Sequence, residues 1–247
     1  RTRGILWVGS SATLPLIRLI CPMPDLRLVI FDVDGTLVDS QAEIMAAMTL
    51  AFGASPFTMP ERSAVLSIVG LSLNEALAKL SPEASEVERA HLVQAYKDAF
   101  NELRGPDGKA ELSPLFPGAL DALDTLRRQD HTLLAVATGK SRRGLDKMLE
   151  RHGLNGVFHS EQVADHHPSK PNPSMILTAL NETGVVPARA VMLGDTTYDM
   201  DMARAARLCA KDARTLCTSI AAVSESKAAG LSWASGSQNR ESAPVSS

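Results

Sequence analysis

In the stretch VIFDVDGTLVDS, the apolar run Val29 to Phe31 ends in two aspartates, Asp32 and Asp34, one residue apart. Carboxylates at the end of an apolar strand are costly unless something compensates their charge. The pair therefore implies a use. Two residues apart on extended chain, the two side chains can point the same way, and Gly35 permits a sharp turn away from the strand. Further along stand Thr138 in ATGKS, Lys170 in HPSKPNPSM, and Asp195 and Asp199 in GDTTYDM. Four carboxylates gathered in one place would repel and raise one another's pKa. A divalent cation relieves that repulsion. An oxygen-rich site with room for waters and a phosphate suits Mg²⁺, and Lys170 then suits an anionic substrate.

These residues can meet only if the fold brings them together. LRLVIF (Leu26 to Phe31) is a continuous apolar run of strand length, as expected of a buried parallel strand. HTLLAVAT (His131 to Thr138), GVFHSEQV (Gly156 to Val163) and RAVMLGD (Arg189 to Asp195) follow, and TLCTSIAAV (Thr215 to Val223) reads as a last strand. Helical patterns lie between them. SRRGLDKMLERHG sets Leu145, Met148 and Leu149 on one face, and NPSMILTALNETG does the same with Ile176, Leu177 and Leu180. Strands alternating with helices predict an α/β fold, a Rossmann-like parallel sheet flanked by helices. In such sheets ligands bind outside the carboxyl ends of the strands. Asp32, Thr138 and Asp195 fall at three such ends, and Lys170 in the loop after a fourth.

Residues 40–113 break the alternation with an all-helical pattern. Ser40-Gln-Ala-Glu43, Ser72-Leu-Asn-Glu75 and Ser85-Glu-Val-Glu88 each read as a capping box. The helices behind them carry Met45, Met48 and Phe52; Leu73, Leu77 and Leu80; and Leu92, Tyr96, Ala99 and Leu103, all read as packing residues. RGPDGKAELSP (Arg104 to Pro114) reads as a turn-rich linker. The expected organisation is an α/β core of residues 23–39 and 114–223 carrying a helical insert of residues 40–113. Residues 1–22 read as a poorly ordered leader or extension, with Met23 a plausible start. The apolar run there is broken by Ser10, Ser11, Pro15 and Arg18, and is too short to span a bilayer. Residues 224–247, rich in Ser, read as a flexible tail.

Composition narrows the class of partner. Of 247 residues, 45% are apolar and 21% charged, as in an ordinary soluble globular protein. A net charge of -3 offers no electrostatic footprint for nucleic acid. Cys21, Cys209 and Cys217 fit neither a disulfide framework nor a zinc site, so a reducing cytoplasm is expected. No membrane attachment is expected, and the chain should act as a monomer or dimer.

The motif set resembles the haloacid dehalogenase superfamily, and within it the phosphoglycolate-phosphatase-like hydrolases with a helical cap. DVDGTLVDS from Asp32 corresponds to the first motif, ATGKS to the second, Lys170 to the third, and GDTTYDM to the fourth. The helical insert takes the place of the cap, and IVGLSLNEAL (Ile68 to Leu77) is similar to a cap segment of that group. The resemblance runs from about Met23 to Ala206. It implies that Asp32 attacks phosphorus to form an aspartyl-phosphate, and that Asp34 protonates the leaving alkoxide and then activates water. Thr138, Gly139, Lys170 and the region around Gly70 would contact the phosphate and substrate. Mg²⁺ would be held by Asp32, the backbone carbonyl of Asp34 and Asp195, with Asp199 supporting the shell. The substrate would be a small phosphorylated metabolite, phosphoglycolate-like.

An acid two residues after the nucleophile favours phosphate esters over carbon–halogen or carbon–phosphorus bonds. A phosphomutase of the β-phosphoglucomutase type shares all four motifs and the cap. A receiver-type phospho-switch or a non-catalytic binding relative is disfavoured by the helical insert and the intact motifs. Arg207 stands where the resemblance calls for glycine, and the divergent text after Ala206 predicts an incomplete core edge. Lys140, Arg142 and Arg143 could add positive potential near the phosphate, but read more readily as a solvated helix face. His166 and His167 read as solvent-facing loop residues, and Asp199 alone could be a first-turn acid at a helix start.

Overall fold

The computed structural model describes residues 26–103 and 113–212. Within them, β1 (Arg27–Phe31), β2 (Thr132–Thr138), β3 (Ser160–Val163), β4 (Ala190–Gly194) and β5 (Cys209–Asp212) form one sheet. The strand order is β3-β2-β1-β4-β5, and every pairing is parallel. β1 lies at the centre and is covered on both faces, which is why its residues read as one continuous apolar run. Val29 and Phe31 face α5 (Ala119–Arg127) and α6 (Arg142–Arg151), packing with Leu123, Leu145, Met148 and Leu149. Leu28 and Ile30 face α7 (Ser174–Thr183) and α8 (Thr197–Ala205), packing with Met175, Ile176, Ala179, Met202 and Ala203. Leu177 departs from the expected inner face of α7. It is 49% exposed, and Met175 and Ala179 fill the stripe instead.

At the sheet edge stands a strand that was not read from the sequence. After α8 the chain turns through Arg207, whose φ of 60 lies in the left-handed region. Arg207 N donates to Arg204 O at 3.0 Å and Leu208 N to Ala203 O at 3.1 Å, which closes the helix end. β5 follows at once, in register from Val191 with Cys209 to Gly194 with Asp212. Its residues are exposed or half-buried. As an edge strand it needs no apolar run, so its sequence, CAKD, gave no strand signal. The segment Thr215 to Val223 lies outside the described residues, as do residues 1–22, the tail from 224, and most of the linker.

Between β1 and α5 stand α1 (Gln41–Gly53), α2 (Arg62–Ser67), α3 (Leu73–Leu80) and α4 (Glu86–Leu103). They share a core of their own around Met48, Phe52, Val65, Leu77 and Leu92. The capping box at Ser85 forms, with Ser85 N donating to Glu88 Oε2 at 2.9 Å and Glu88 N to Ser85 Oγ at 3.4 Å. Those at Ser40 and Ser72 do not. Glu43 turns inward instead, fully buried, and accepts a hydrogen bond from Ser113 Oγ. Ser72 offers its backbone N–H to Ser169 Oγ at 2.9 Å, a contact that reaches the α/β core. Among the described residues, no helix is long and apolar enough to cross a membrane.

Candidate active site

From the central β1 the chain builds outward to β2 and β3, then returns to the other side for β4 and β5. The crevice at the carboxyl ends of β1 and β4 is therefore the switch point, where such sheets bind ligands. Asp32 directly follows β1, and its N–H donates to Leu193 O of β4 at 2.9 Å. Asp195 directly follows β4. The turn after Asp32 is closed by Gly35 N donating to Val38 O at 2.9 Å. Gly35 has φ 83, and a Cβ there would lie 2.2 Å from Asp195 Oδ2. Only glycine meets both demands. Thr36 Oγ1 then donates to Asp195 Oδ1 at 3.4 Å, tying the first motif to the fourth.

Lys170 sits at the centre of the buried charges. Its Nζ lies 2.8 Å from Asp32 Oδ1 and 2.7 Å from Asp199 Oδ1, and none of the three side chains is exposed to solvent. Burial alone would lower the lysine's pKa, but the Asp199 and Asp32 carboxylates outweigh it and hold the ammonium above its usual range. Burial pushes the Asp32 carboxyl up to about 8; Lys170 opposes the shift, and the Asp199 and Asp34 carboxylates add to it.

Asp199 combines the two readings its position allows. It forms a capping box at the start of α8, its Oδ2 accepting from Thr196 N at 3.2 Å and from Thr196 Oγ1 at 2.7 Å. Its other oxygen holds Lys170. Gly194 makes room for it, since a Cβ there would meet Asp199 Cγ at 2.3 Å.

Asp32, Asp195 and Asp199 each place a carboxylate oxygen within 4.8 Å of the others. Asp32 Oδ2 is buried without a hydrogen-bond partner. A hard cation suits such an all-oxygen set. It would also hold Asp32 ionised against the burial that raises its pKa. The residues present thus fit a metal ion.

Asp34 lies on the outer side of the cluster. Its Oδ1 is 2.7 Å from Lys140 Nζ, and each side chain is only 11% exposed. This corrects the reading of Lys140 as part of a solvated helix face. The lysine lies in the turn after β2, and that turn points it at the first motif. Arg142 does face away, pairing with Asp146 and Glu161. Thr138 is fully buried at the end of β2, its Oγ1 accepting from Lys140 N at 3.2 Å. Gly139 lies under the helical unit, where a Cβ would meet Leu71 O at 2.4 Å and Gly70 O at 2.5 Å. A Cβ on Gly70 would lie 3.9 Å from Asp32 Oδ2. The loop before α3 thus passes directly over Asp32.

His167 also departs from the solvent-facing reading. Its ring bridges Gln162 Oε1 and Ser174 Oγ, each at 2.8 Å, and so pins both ends of the loop that carries Lys170. Three contributors were missed in the sequence: Thr36, Ser169 and Thr196. The Thr of the DGT stretch and the threonine three residues before Asp199 carried a signal. Ser169 carried none, because its partner is distant in the chain.

A cavity of about 470 Å³ opens beside Asp34, between the helical unit and the start of α6. Asp34, Gly70, Gly139 and Lys140 all contribute to its wall.

The sequence profile of the haloacid dehalogenase-like hydrolases matches residues 29–210. The chain belongs to that family. The hydrolase is 37% identical over 186 residues to a Dickeya dadantii protein named probable phosphatase IndB, covering 74% of this chain and 79% of that one. It is 32% identical over 194 residues to the phosphoglycolate phosphatase of Aliivibrio fischeri, covering 74% and 81%. A hydrolase from Pseudomonas syringae shares its fold with a TM-score of 0.65 at 24% identity, over 74% of this chain and 83% of the other.

Proposed function

We propose that this hydrolase is a Mg²⁺-dependent phosphatase that cleaves small phosphate monoesters through an aspartyl-phosphate on Asp32. The observation that carries the reading is the buried group of Asp32, Lys170 and Asp199 at the switch point, with Asp34 on its open side. The relatives named phosphatases support it, and those named phosphoglycolate phosphatases suggest a substrate of that kind.

The chemistry follows from where each group stands. Lys170 and Thr138 hold the phosphoryl oxygens, and their positive ends stabilise charge as it develops there. An Asp32 oxygen attacks phosphorus as the ester P–O bond breaks, and Asp34 passes its proton to the departing alkoxide. Asp34, now a carboxylate, takes a proton from water, and that oxygen attacks the phosphorus of the aspartyl-phosphate. The bond to Asp32 breaks, inorganic phosphate leaves, and both aspartates return to their starting forms. Asp32, the Asp34 carbonyl and Asp195 would hold Mg²⁺, with Asp199 supporting from behind. When bound, the ion neutralises charge on the phosphoryl group and keeps Asp32 ionised. Gly139 and the Gly70 loop border the phosphate, and α1 to α4 act as a cap that limits water around it.

The test is release of free phosphate from a panel of monoesters, with and without Mg²⁺. Asp32→Asn is expected to abolish turnover on every substrate, and normal turnover by that variant would sink the assignment. Transfer to a second sugar hydroxyl without free phosphate would indicate a mutase of the β-phosphoglucomutase type instead.

A further inference from the structure

The cavity beside Asp34 bears on which alcohol is released. The residue that protonates the leaving oxygen must touch it, so the rest of the alcohol extends into the space that Asp34 borders. The space amounts to about 470 Å³. That leaves room for an alcohol larger than a two-carbon hydroxy acid.

The walls are of two kinds. Met48, Ile68, Leu71, Tyr96 and Phe100 make an apolar side on the helical unit. The Tyr96 and Phe100 rings stand 5.6 Å apart at 33°. Lys97 on α4, and Arg143 and Lys147 on α6, make a cationic side. The acids on the wall do not answer Lys97 or Arg143. Asp34 is paired with Lys140, and Asp165 Oδ2 accepts from Arg142 N at 2.6 Å. Among the described residues, neither the Lys97 nor the Arg143 side chain has an ion pair or hydrogen bond. Arginine binds carboxylate and phosphate through paired N–H donors, and aromatic faces favour a flat apolar body.

We propose that the site takes phosphate monoesters whose alcohol part is a ring carrying a second anionic group, with the ring against Tyr96 and Phe100 and the anion at Lys97 and Arg143. This rests on the phosphatase reading above. It departs from a two-carbon substrate in bulk and from a simple aryl alcohol in charge.

Three esters of similar alkyl leaving groups separate the possibilities: phosphoglycolate has the anion without the ring, benzyl phosphate the ring without the anion, and 4-carboxybenzyl phosphate both. In the full chain with Mg²⁺, kcat/KM for 4-carboxybenzyl phosphate is expected to exceed both others by about tenfold or more. A second phosphate in place of the carboxylate tells which anion is read, and a preference for either over benzyl phosphate supports the proposal. Arg143→Ala should lower the preference for 4-carboxybenzyl over benzyl phosphate by about tenfold. Arg128→Ala, which removes the same charge at the far end of the sheet, should not. Equal or higher kcat/KM on phosphoglycolate would overturn the proposal, as would an Arg143→Ala preference equal to the parent's. Benzyl phosphate turnover without any charge preference overturns only this inference. Hydrolysis of none of the esters overturns the phosphatase reading itself.

Discussion

Lys170 presents no side-chain surface to solvent, and two equally buried carboxylates face it at 2.8 and 2.7 Å. Such a group is stable only as a set. Removing one partner leaves an uncompensated buried charge, which costs about 3–5 kcal/mol. Lys170→Met is therefore expected to lose that much unfolding free energy, measured by urea denaturation in chelator. Combining it with Asp32→Asn removes one of the stranded carboxylates, so the double variant should lose less than the two single losses added. Simple additivity would show that the two residues are not coupled. The residue types of this group were legible in the sequence, because acids and a lysine at strand ends have few structural uses. Their pairings were not. Nothing near Lys140 in the chain singles out Asp34 as its partner, and although the Thr196–Asp199 spacing signals the cap of α8, nothing near Asp199 shows that its other oxygen holds Lys170.

At the scale of elements, β1, β2 and β4 were legible because burial on both faces of a parallel sheet writes itself as apolar runs, whereas the edge strand β3, SEQV, was signalled only by Val157 and Phe158 just before it. β5 was not, because an edge strand with exposed or half-buried residues carries no such run. The α8–β5 turn makes the point through Arg207. The expected glycine is absent, yet the backbone still adopts φ 60 and closes the helix with two hydrogen bonds. A side chain in that region costs about 1–2 kcal/mol. Glycine would avoid this but gives up some unfolded-chain entropy, about 0.5–1 kcal/mol. Arg207→Gly is accordingly expected to stabilise the fold by about 0.5–1 kcal/mol, a rise of roughly 1–4 °C in Tm. An unchanged or lower Tm would mean that the Arg207 side chain contributes more than its backbone strain costs.

At the scale of the molecule, the helical unit rests on two loops and the first turn of α8, all next to the proposed catalytic residues. Gly139, after β2, lies under the Gly70 and Leu71 carbonyls. Ser169, beside Lys170, accepts the Ser72 N–H. Tyr198, after β4, accepts from Lys79 Nζ at 3.1 Å and lies under the same ammonium at 4.7 Å. The position of the unit and the geometry of the site are thus set together. Gly139 is where this can be tested most directly. Its φ lies outside the left-handed region, so alanine suits its backbone, but the added Cβ would sit 2.4 Å from one carbonyl oxygen and 2.5 Å from another. Backbone atoms cannot rotate aside as a side chain can, so the helical unit must shift outward. Misplacement of about 1 Å near a reacting centre costs on the order of a hundredfold in rate. Gly139→Ala should therefore lower kcat/KM by about 10–100-fold. The denaturation midpoint should barely move, because no core side chain changes. Gly53→Ala, whose Cβ would meet nothing within 4 Å, serves as the matched control. If Gly139→Ala kept the parent's kcat/KM, the seating of the helical unit on the β2 loop would have no part in catalysis, and the Gly70 loop would lose its place at the phosphate.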